Sequence, residues 1–372
     1  MVRLRDDEDE AALRSILRSL FANGSGDAVR RAEPLGHDDK LWQELVGLGV
    51  PAMAVDPAAG GGGATVAQLA VAAEELGRAL APVTVTEHQL AASAVAQPDP
   101  TPFADVIAGE TVATLALRRS VDGWWRTVPG AAVAGVVVGM HRDRLVAIRQ
   151  NPPGTAPPNL GSQALADVRL DDADLEPLGD GALHADLADR WRVLTAASLV
   201  GLSESALEIG MGYVLERKQF GVPIGTFQAV QHGLADLPGL IAGARLLAGK
   251  AAWALEQPGA GAVDVGMNDI TQGSALASMA VLFAAEVAER VTDRALHFHG
   301  GYGVARESDI QLHYRRGRAW PLALGPAHLE RRRLASLLFA GGQPVEASHC
   351  SLSVRRSTLP DGSRGISSTT AT

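Results

Sequence analysis

The chain has 372 residues, of which 47% are hydrophobic and 20% charged, so it can bury enough apolar surface to offset the ordering entropy of folding. Its formal net charge is -9, and no basic stripe interrupts the mixture of Arg, Asp and Glu, which excludes binding of a nucleic-acid backbone. The single cysteine, Cys350, excludes an internal disulfide and a cysteine-based metal cluster. A charged N-terminus and a longest largely apolar run (275–285) too short for a bilayer predict a soluble, cytoplasmic protein without a membrane partner.

The first third of the chain has helical periodicity. Apolar residues recur at three- and four-residue spacing in LRSILRSLF, KLWQELVGLGV and ATVAQLAVAAEELGRAL. Pro and Gly clusters such as DPAAGGGG separate these runs. The pattern predicts a helical N-terminal domain over residues 1–97.

The middle of the chain has a different texture. Short β-branched runs, TVATLAL, AAVAGVVVG and RLVAI, alternate with turn-forming segments such as QNPPG. These runs predict a small, shortened β-domain over residues 98–181.

Helical periodicity returns in the last part of the chain, with Ala- and Leu-rich runs at 192–215, 230–255 and 264–298 that are too long for strands. They predict a helical bundle over residues 182–340. Residues 341–372 are rich in Ser, Thr, Gly and Arg, and predict a disordered tail. The predicted fold class is therefore α+β and mostly α.

One segment near the start of the bundle, ERKQFGVPIGTFQAVQHGLAD, combines functional side chains with a break between two helical patterns. It carries Arg217, Phe220 and Gln228. A guanidinium, an aromatic ring and an amide beside helix termini suit a pyrophosphate and a planar ring system. The alternative is a surface turn held by a salt bridge.

A second segment, ALHFHGGYGVARESDIQLHYRRGRAW, is rich in glycine. Gly300 and Gly301 follow a long helical run, so they either terminate the helix or let backbone amides approach a ligand closely. His297, His299 and His313 have no carboxylate or further histidine at ligand spacing, so no metal site is predicted.

Together, in this order and with EELGR upstream, the two segments resemble the acyl-CoA dehydrogenase family over roughly residues 41–339. The resemblance implies an N-terminal helical domain, a middle β-domain and a C-terminal four-helix bundle. It also implies that bundles pair so that each FAD lies across a subunit boundary, held mainly by one subunit and completed by its neighbour.

The positions that complete a neighbour's flavin site are occupied in this chain by side chains of the expected kind. The family's pyrophosphate-binding arginine, its aromatic neighbour, the following amide and the two backbone contacts to the adenosine half of FAD fall on Arg217, Phe220, Gln228, Gly300 and Gly301. His297 stands where the family has a glutamine. The resemblance implies that this half of a flavin site is intact.

The family's catalytic base, in contrast, has no counterpart. Removal of a proton alpha to a thioester requires a positioned carboxylate. Leu324 stands at the family glutamate and Pro326 at the threonine that follows, while Trp191 stands at the alternative glutamate position on an earlier helix. Glu330 is near in sequence, but we expect it to be a solvated or ion-paired helix residue rather than a substitute base. No catalytic residue is predicted.

The β-domain also departs from the family at its flavin-binding segments. The first reads TLALRRSVDGWW, and no Trp-Ile-Thr-like strand precedes AAVAGVVVG. We expect Trp124 and Trp125 to pack the shortened β-core rather than stack on a flavin ring. This chain's own flavin cradle is therefore expected to be degraded.

The resemblance thus implies the non-catalytic subunit of a heteromeric FAD-dependent acyl-CoA dehydrogenase, similar to actinobacterial α2β2 members that act on steroid CoA thioesters. Its partners would be a catalytic acyl-CoA dehydrogenase subunit and an acyl-CoA. One alternative is a self-sufficient flavoenzyme of the same fold. Another is a scaffold or acyl-thioester binder without a flavin.

Overall fold

The computed structural model describes residues 6–22, 25–171, 173–257 and 272–339. The predicted disordered tail, Cys350 and the first part of the predicted 264–298 helix lie outside these ranges. Within these ranges, six α-helices precede the first strand: α1 (Glu8–Ala22), α2 (Ser25–Ala32), α3 (Asp39–Gly47), α4 (Val66–Arg78), α5 (Val85–Val95) and α6 (Ala104–Ile107).

Local capping explains where α3 and α4 begin. The side chain of Asp38 accepts a hydrogen bond from the backbone N–H of Leu41, which satisfies one of the free donors at the start of α3. Thr65 and Gln68 form a reciprocal capping box at the start of α4. Both helices therefore begin at residues whose side chains replace missing backbone partners.

The described residues between 113 and 179 form six strands: β1 (Ala113–Ala116), β2 (Trp124–Val128), β3 (Val136–His141), β4 (Arg144–Arg149), β5 (Ala166–Arg169) and β6 (Glu176–Gly179). Strands β1, β3, β4 and β6 form one sheet in that order, in which only the β1–β3 pair is parallel. Strands β2 and β5 form a separate antiparallel pair. The middle of the chain is thus a small β-structure between two helical regions.

The two tryptophans of β2 take different positions. Trp125 is fully buried in the β-core, and its Nε1 donates a hydrogen bond to the carbonyl oxygen of Met140 over 2.9 Å. Trp124 is half-buried, with the guanidinium of Arg126 4.4 Å from its ring centroid. The expectation of core packing is confirmed for Trp125, whereas Trp124 lies on the outer side of the strand pair under a cation.

The remaining helices are α7 (Gly181–Glu216), α8 (Gln228–Ala235), α9 (Leu237–Leu255), α10 (Gly273–His299), α11 (Ile310–Ala319) and α12 (Ala327–Phe339). The continuous helical run predicted over 230–255 is interrupted between Ala235 and Leu237. Pro238 stands in the first turn of α9, where its missing N–H costs nothing, so a new helix begins there.

Helix α7 is long and apolar enough to cross a membrane by length and composition alone. In its most apolar window, however, 72% of the residues are buried inside the protein. The backbone of α7 approaches α4 so closely at Gly201 that a Cβ at this position would lie 1.9 Å from the carbonyl oxygen of Glu74. The apolar character of α7 is therefore accounted for by packing in the bundle and against the N-terminal helices.

The described part of the chain is mostly helical, and strands β1 to β6 lie between residues 113 and 179. This arrangement confirms the predicted α+β, mostly α, fold class. The domain boundaries themselves stay a prediction.

Candidate functional site

A short hairpin connects α7 to α8. Its strands, β7 (Lys218–Gln219) and β8 (Val222–Pro223), pair across a two-residue turn. Both turn residues have positive φ, 55° at Phe220 and 83° at Gly221, as a type I′ turn requires. For a phenylalanine this backbone conformation costs about 1 kcal/mol, yet its side chain is 94% exposed. A strained backbone that carries an exposed aromatic ring is a feature of a contact surface rather than of a hydrophobic core.

The two sequence segments meet at an open groove of about 710 Å³. Its volume falls within the range of small-molecule sites, roughly 300–1,000 Å³. One wall is the end of α7 with the start of the hairpin, and the other is the end of α10 with the glycine-rich turn. The groove is lined by Tyr213, Glu216, Arg217, Gln219, Ile224, His297, Phe298, His299, Gly300, Gly301 and Tyr302.

Arg217 caps the C-terminus of α7, and its backbone N–H donates to the carbonyl oxygen of Tyr213. Its side chain is exposed and makes no hydrogen bond or ion pair with any residue that the structure describes. The salt bridge that the alternative interpretation requires is therefore not formed within the described chain. The guanidinium fork is available to an anion.

The glycine-rich turn ends a helix and also leaves open space beside its backbone. Gly300 ends α10 with its N–H bonded to the carbonyl oxygen of His297, and its φ of +60° disfavours other residues. A Cβ at Gly300 or Gly301 would meet no atom within 4 Å. The backbone of this turn is thus open to close approach by a ligand.

Three stacked aromatic rings form part of the groove lining. The ring of His299 is stacked on that of Tyr213 at 4.0 Å, and its Nδ1 lies 2.8 Å from the carbonyl oxygen of Ala295. The ring of Tyr302 lies parallel to that of Tyr213 at 6.5 Å. His313 lies elsewhere, buried against the hydroxyl of Ser205.

The structure brings four of the six predicted cofactor contacts to this groove: Arg217, His297, Gly300 and Gly301. Phe220 and Gln228 do not line it. Phe220 lies at the hairpin tip with its ring 6.3 Å from that of Phe227, and Gln228 is exposed at the first position of α8.

The two positions at which a base is expected both hold apolar side chains within the fold. Trp191 is fully buried in α7, and its Nε1 donates a hydrogen bond to Oε1 of Glu87 over 3.0 Å. Leu324 is half-buried and packs against the hydrophobic core that contains Trp191. Neither side chain can accept a proton from a carbon acid.

Glu330 is buried in an ion-pair network. Its two carboxylate oxygens accept from Nε and Nη2 of Arg192 over 2.7 and 3.0 Å, and Asp189 accepts from Arg192 Nη1 and Arg333 Nη2 over 3.0 and 2.7 Å. Burial alone would raise the pKa of Glu330, but the Arg192 guanidinium holds it below its ordinary value. Glu330 is thus ion-paired, as expected, but buried rather than solvated, and its oxygens are committed to Arg192.

A second, smaller cavity of about 90 Å³ lies between the N-terminal helices, the β-structure and the bundle. Its lining includes Trp191 and two ionisable side chains, Glu87 and Arg316. Sequence reasoning did not identify either of these two as a site residue. Burial raises the pKa of Glu87, and burial lowers that of Arg316 to about 10. Arg316 lies in the second segment singled out above and Glu87 lies outside both, but no local pattern distinguishes either residue from its neighbours.

Both helical regions of the chain match models of one protein family. Residues 7–98 match the model of the acyl-CoA dehydrogenase N-terminal domain, and residues 185–339 match that of the C-terminal domain. Acyl-CoA dehydrogenase IpdE2 of Mycolicibacterium smegmatis is 30% identical over 339 residues, which cover 89% of this chain and 99% of that protein. IpdE2 of Mycobacterium tuberculosis is 30% identical over 338 residues, covering 88% of this chain and 97% of that protein.

Solved structures of acyl-CoA dehydrogenases have a similar fold. A variant of the Tcur3481-Tcur3483 steroid acyl-CoA dehydrogenase has a TM-score of 0.76 at 28% identity and covers 90% of this chain and 98% of its own. The ChsE4-ChsE5 complex from Mycobacterium tuberculosis has a TM-score of 0.79 at 23% identity, with coverage of 90% and 98%, and shows the shared fold. The chain belongs to the acyl-CoA dehydrogenase family of FAD-dependent oxidoreductases.

Proposed function

We propose that this chain is the non-catalytic subunit of a heteromeric FAD-dependent acyl-CoA dehydrogenase and that it completes the FAD site of a catalytic partner. One contrast carries the proposal. The groove around the unpaired Arg217 measures about 710 Å³, whereas the cavity beside Trp191, at one of the two base positions, measures about 90 Å³. The first suits a large ligand, and the second is too small for a flavin ring system.

The chemistry also requires a base that this chain does not place. A bound FAD would supply the hydride acceptor for the beta carbon of an acyl-CoA, and a carboxylate would have to remove the alpha proton. With Leu324 and Trp191 at the two base positions and Glu330 bound to Arg192, we assign that carboxylate to the partner.

The open groove has the donors that a shared FAD needs. Arg217 would bind the pyrophosphate bidentately, and the backbone at Gly300 and Gly301 would approach the adenosine half. His297 is exposed at the rim, where its imidazole would replace an amide contact. Phe220 and Gln228 would contribute from the hairpin and the start of α8, at the edge of this surface.

The surface around the groove supports a partner subunit. Large apolar side chains are unusually exposed on the hairpin, at the start of α8 and on the glycine-rich turn: Phe220, Val222, Phe227, Tyr302 and Val304. A concentration of exposed apolar residues beside a ligand groove is typical of a protein interface. We propose a catalytic acyl-CoA dehydrogenase subunit as the partner, in an α2β2 assembly.

One relative supports a proposal for the substrate class. A structural neighbour at 28% identity is a steroid acyl-CoA dehydrogenase, which favours a steroid-like or other bulky acyl-CoA thioester. We place the complex in the cytoplasm, as a soluble enzyme.

The purified chain alone should be nearly colourless and inactive on acyl-CoA substrates, because it holds neither a base nor a full flavin cradle. The measurement is the visible flavin spectrum per mole of protein, together with turnover with an artificial electron acceptor. A yellow homo-oligomer with one flavin per chain and dehydrogenase turnover would overturn the proposal.

Leu324→Glu should not create a dehydrogenase on its own. A base adds rate only where substrate and acceptor are already aligned with it, and the cavity beside Trp191, the other base position, is about 90 Å³. Turnover of this variant without a partner would show that the chain has a working flavin site of its own. Leu324→Gln, of similar size but unable to act as a base, is the matched control.

One observation favours a second candidate, a self-sufficient flavoenzyme. Glu87 is a carboxyl group with a raised pKa that accepts a hydrogen bond from Trp191, the side chain at one of the base positions. If Glu87 were the base, the chain alone would turn over and Glu87→Gln would abolish that turnover. Under our proposal the chain alone has no turnover to lose.

A further inference from the structure

The small cavity is lined by a buried guanidinium that forms no ion pair with any described residue. Arg316, in α11, is 2% exposed, and its Nη1 has no hydrogen-bond acceptor among the described residues. Among the described residues the carboxylate of Glu33 acts electrostatically on Arg316, but Glu33 is already bonded to Arg315 and lies 3.4 Å from the hydroxyl of Ser162. Arg315 itself opposes the charge of Arg316. Burying such a guanidinium without a partner is expensive.

The rest of the cavity lining is uncharged except for Glu87. Burial raises the pKa of that carboxyl group, and its Oε1 already accepts a hydrogen bond from Trp191. The lining therefore pairs a guanidinium whose Nη1 has no acceptor among the described residues with a carboxyl group already bonded to Trp191. Hydroxyl groups of Thr84, Thr86 and Thr195 supply further neutral donors.

Size and shape restrict the anion that could compensate this charge. A single water needs roughly 10–15 Å³ of such space, so a cavity of about 90 Å³ accommodates several waters or one small organic anion. Leu76, Leu80, Trp191 and Trp320 give part of the wall an apolar surface. A guanidinium pairs with the two oxygens of a carboxylate in a planar fork, and an aliphatic chain of a few carbons would lie against the apolar wall.

We propose that this cavity binds a small aliphatic carboxylate, with its two oxygens on Arg316 and its chain against the tryptophans. The site shares no lining residue with the groove around Arg217. The proposed carboxylate site can therefore be tested independently of the proposed flavin contacts.

The test is thermal unfolding of the full chain in the presence of sodium propionate, with sodium chloride and sodium phosphate at matched ionic strength. A ligand that binds only the folded state raises the unfolding temperature in a saturable way. We expect that rise with propionate and not with chloride or phosphate. The absence of a saturable rise, or an equal rise with chloride, would show that the cavity holds water only. A larger rise with phosphate would show that the ligand class is wrong.

Two variants locate the effect. Arg316→Met should abolish the propionate shift while leaving the unliganded chain at least as stable as the wild type, since it removes an uncompensated buried charge. Thr195→Leu keeps the arginine but occupies cavity volume, and should also abolish the shift, which keeps the test valid if the first variant fails to fold. Arg332→Ala, an exposed arginine of α12, should keep the full shift. A propionate shift that survives both Arg316→Met and Thr195→Leu would overturn the proposal.

Discussion

Replacing Arg217 with alanine, in a complex with the wild-type catalytic partner, should weaken FAD retention by about 10- to 100-fold. A hydrogen bond to a charged group contributes roughly 1.5–3 kcal/mol, and each 1.4 kcal/mol is about tenfold in affinity. The side chain is exposed and unpaired within the described chain, so its removal should leave the fold of this subunit intact. The measurement is FAD dissociation from the purified complex, followed by flavin fluorescence, with turnover measured in parallel.

Arg217→Lys should restore only part of the loss, because an ammonium keeps the charge but not the planar fork. Arg332→Ala removes an exposed arginine of α12 and should change neither flavin content nor turnover. If Arg217→Ala left both unchanged in an intact assembly, Arg217 would be an ordinary surface residue and the shared site would be wrong.

Arg192→Met should lower the free energy of unfolding of the chain by about 3–5 kcal/mol, the usual cost of removing one partner of a buried ion pair. Arg192 binds both oxygens of Glu330 and also donates to Asp189. Without it, Glu330 loses its bidentate partner while remaining buried, and Arg333 is left as the nearest cation, 3.7 Å from Glu330. Chemical denaturation of the chain, followed by circular dichroism, measures the change.

The double variant Arg192→Met, Glu330→Leu should recover part of this loss, because both members of the pair become apolar. Asp189 keeps Arg333 and the hydroxyl of Ser274 as partners in that background. An Arg192→Met chain as stable as the wild type would mean that Glu330 is not held by Arg192, and would make it available again as a candidate base.

Periodicity predicted most of the helices because their apolar spacing reflects burial. It failed at Pro238, where one predicted helical run is in fact two helices. The apolar pattern continues across this point in the sequence, but the helix does not. It also gave no sign of the hairpin, whose positive φ at Phe220 is imposed by the paired strands rather than by its own side chain. Trp124 and Trp125 are adjacent and chemically identical, yet alternation along β2 places only one in the core.

The candidate site was only partly accessible from the sequence. Arg217 and Gly300 are about 80 residues apart, and it was the resemblance to a family, not spacing, that paired them. The structure adds that both lie at helix ends lining one groove. Glu87 and Arg316 could not be predicted, because burial and a missing partner are properties of the tertiary fold and leave no local pattern.

The central claim is that this chain completes a flavin site without holding one. Co-expression with a catalytic acyl-CoA dehydrogenase, purification of the complex and a count of flavins against subunits tests it most directly. The account predicts half as many flavins as subunits, with every flavin lost when the catalytic partner is omitted. One flavin for every subunit, including each copy of this chain, would contradict it.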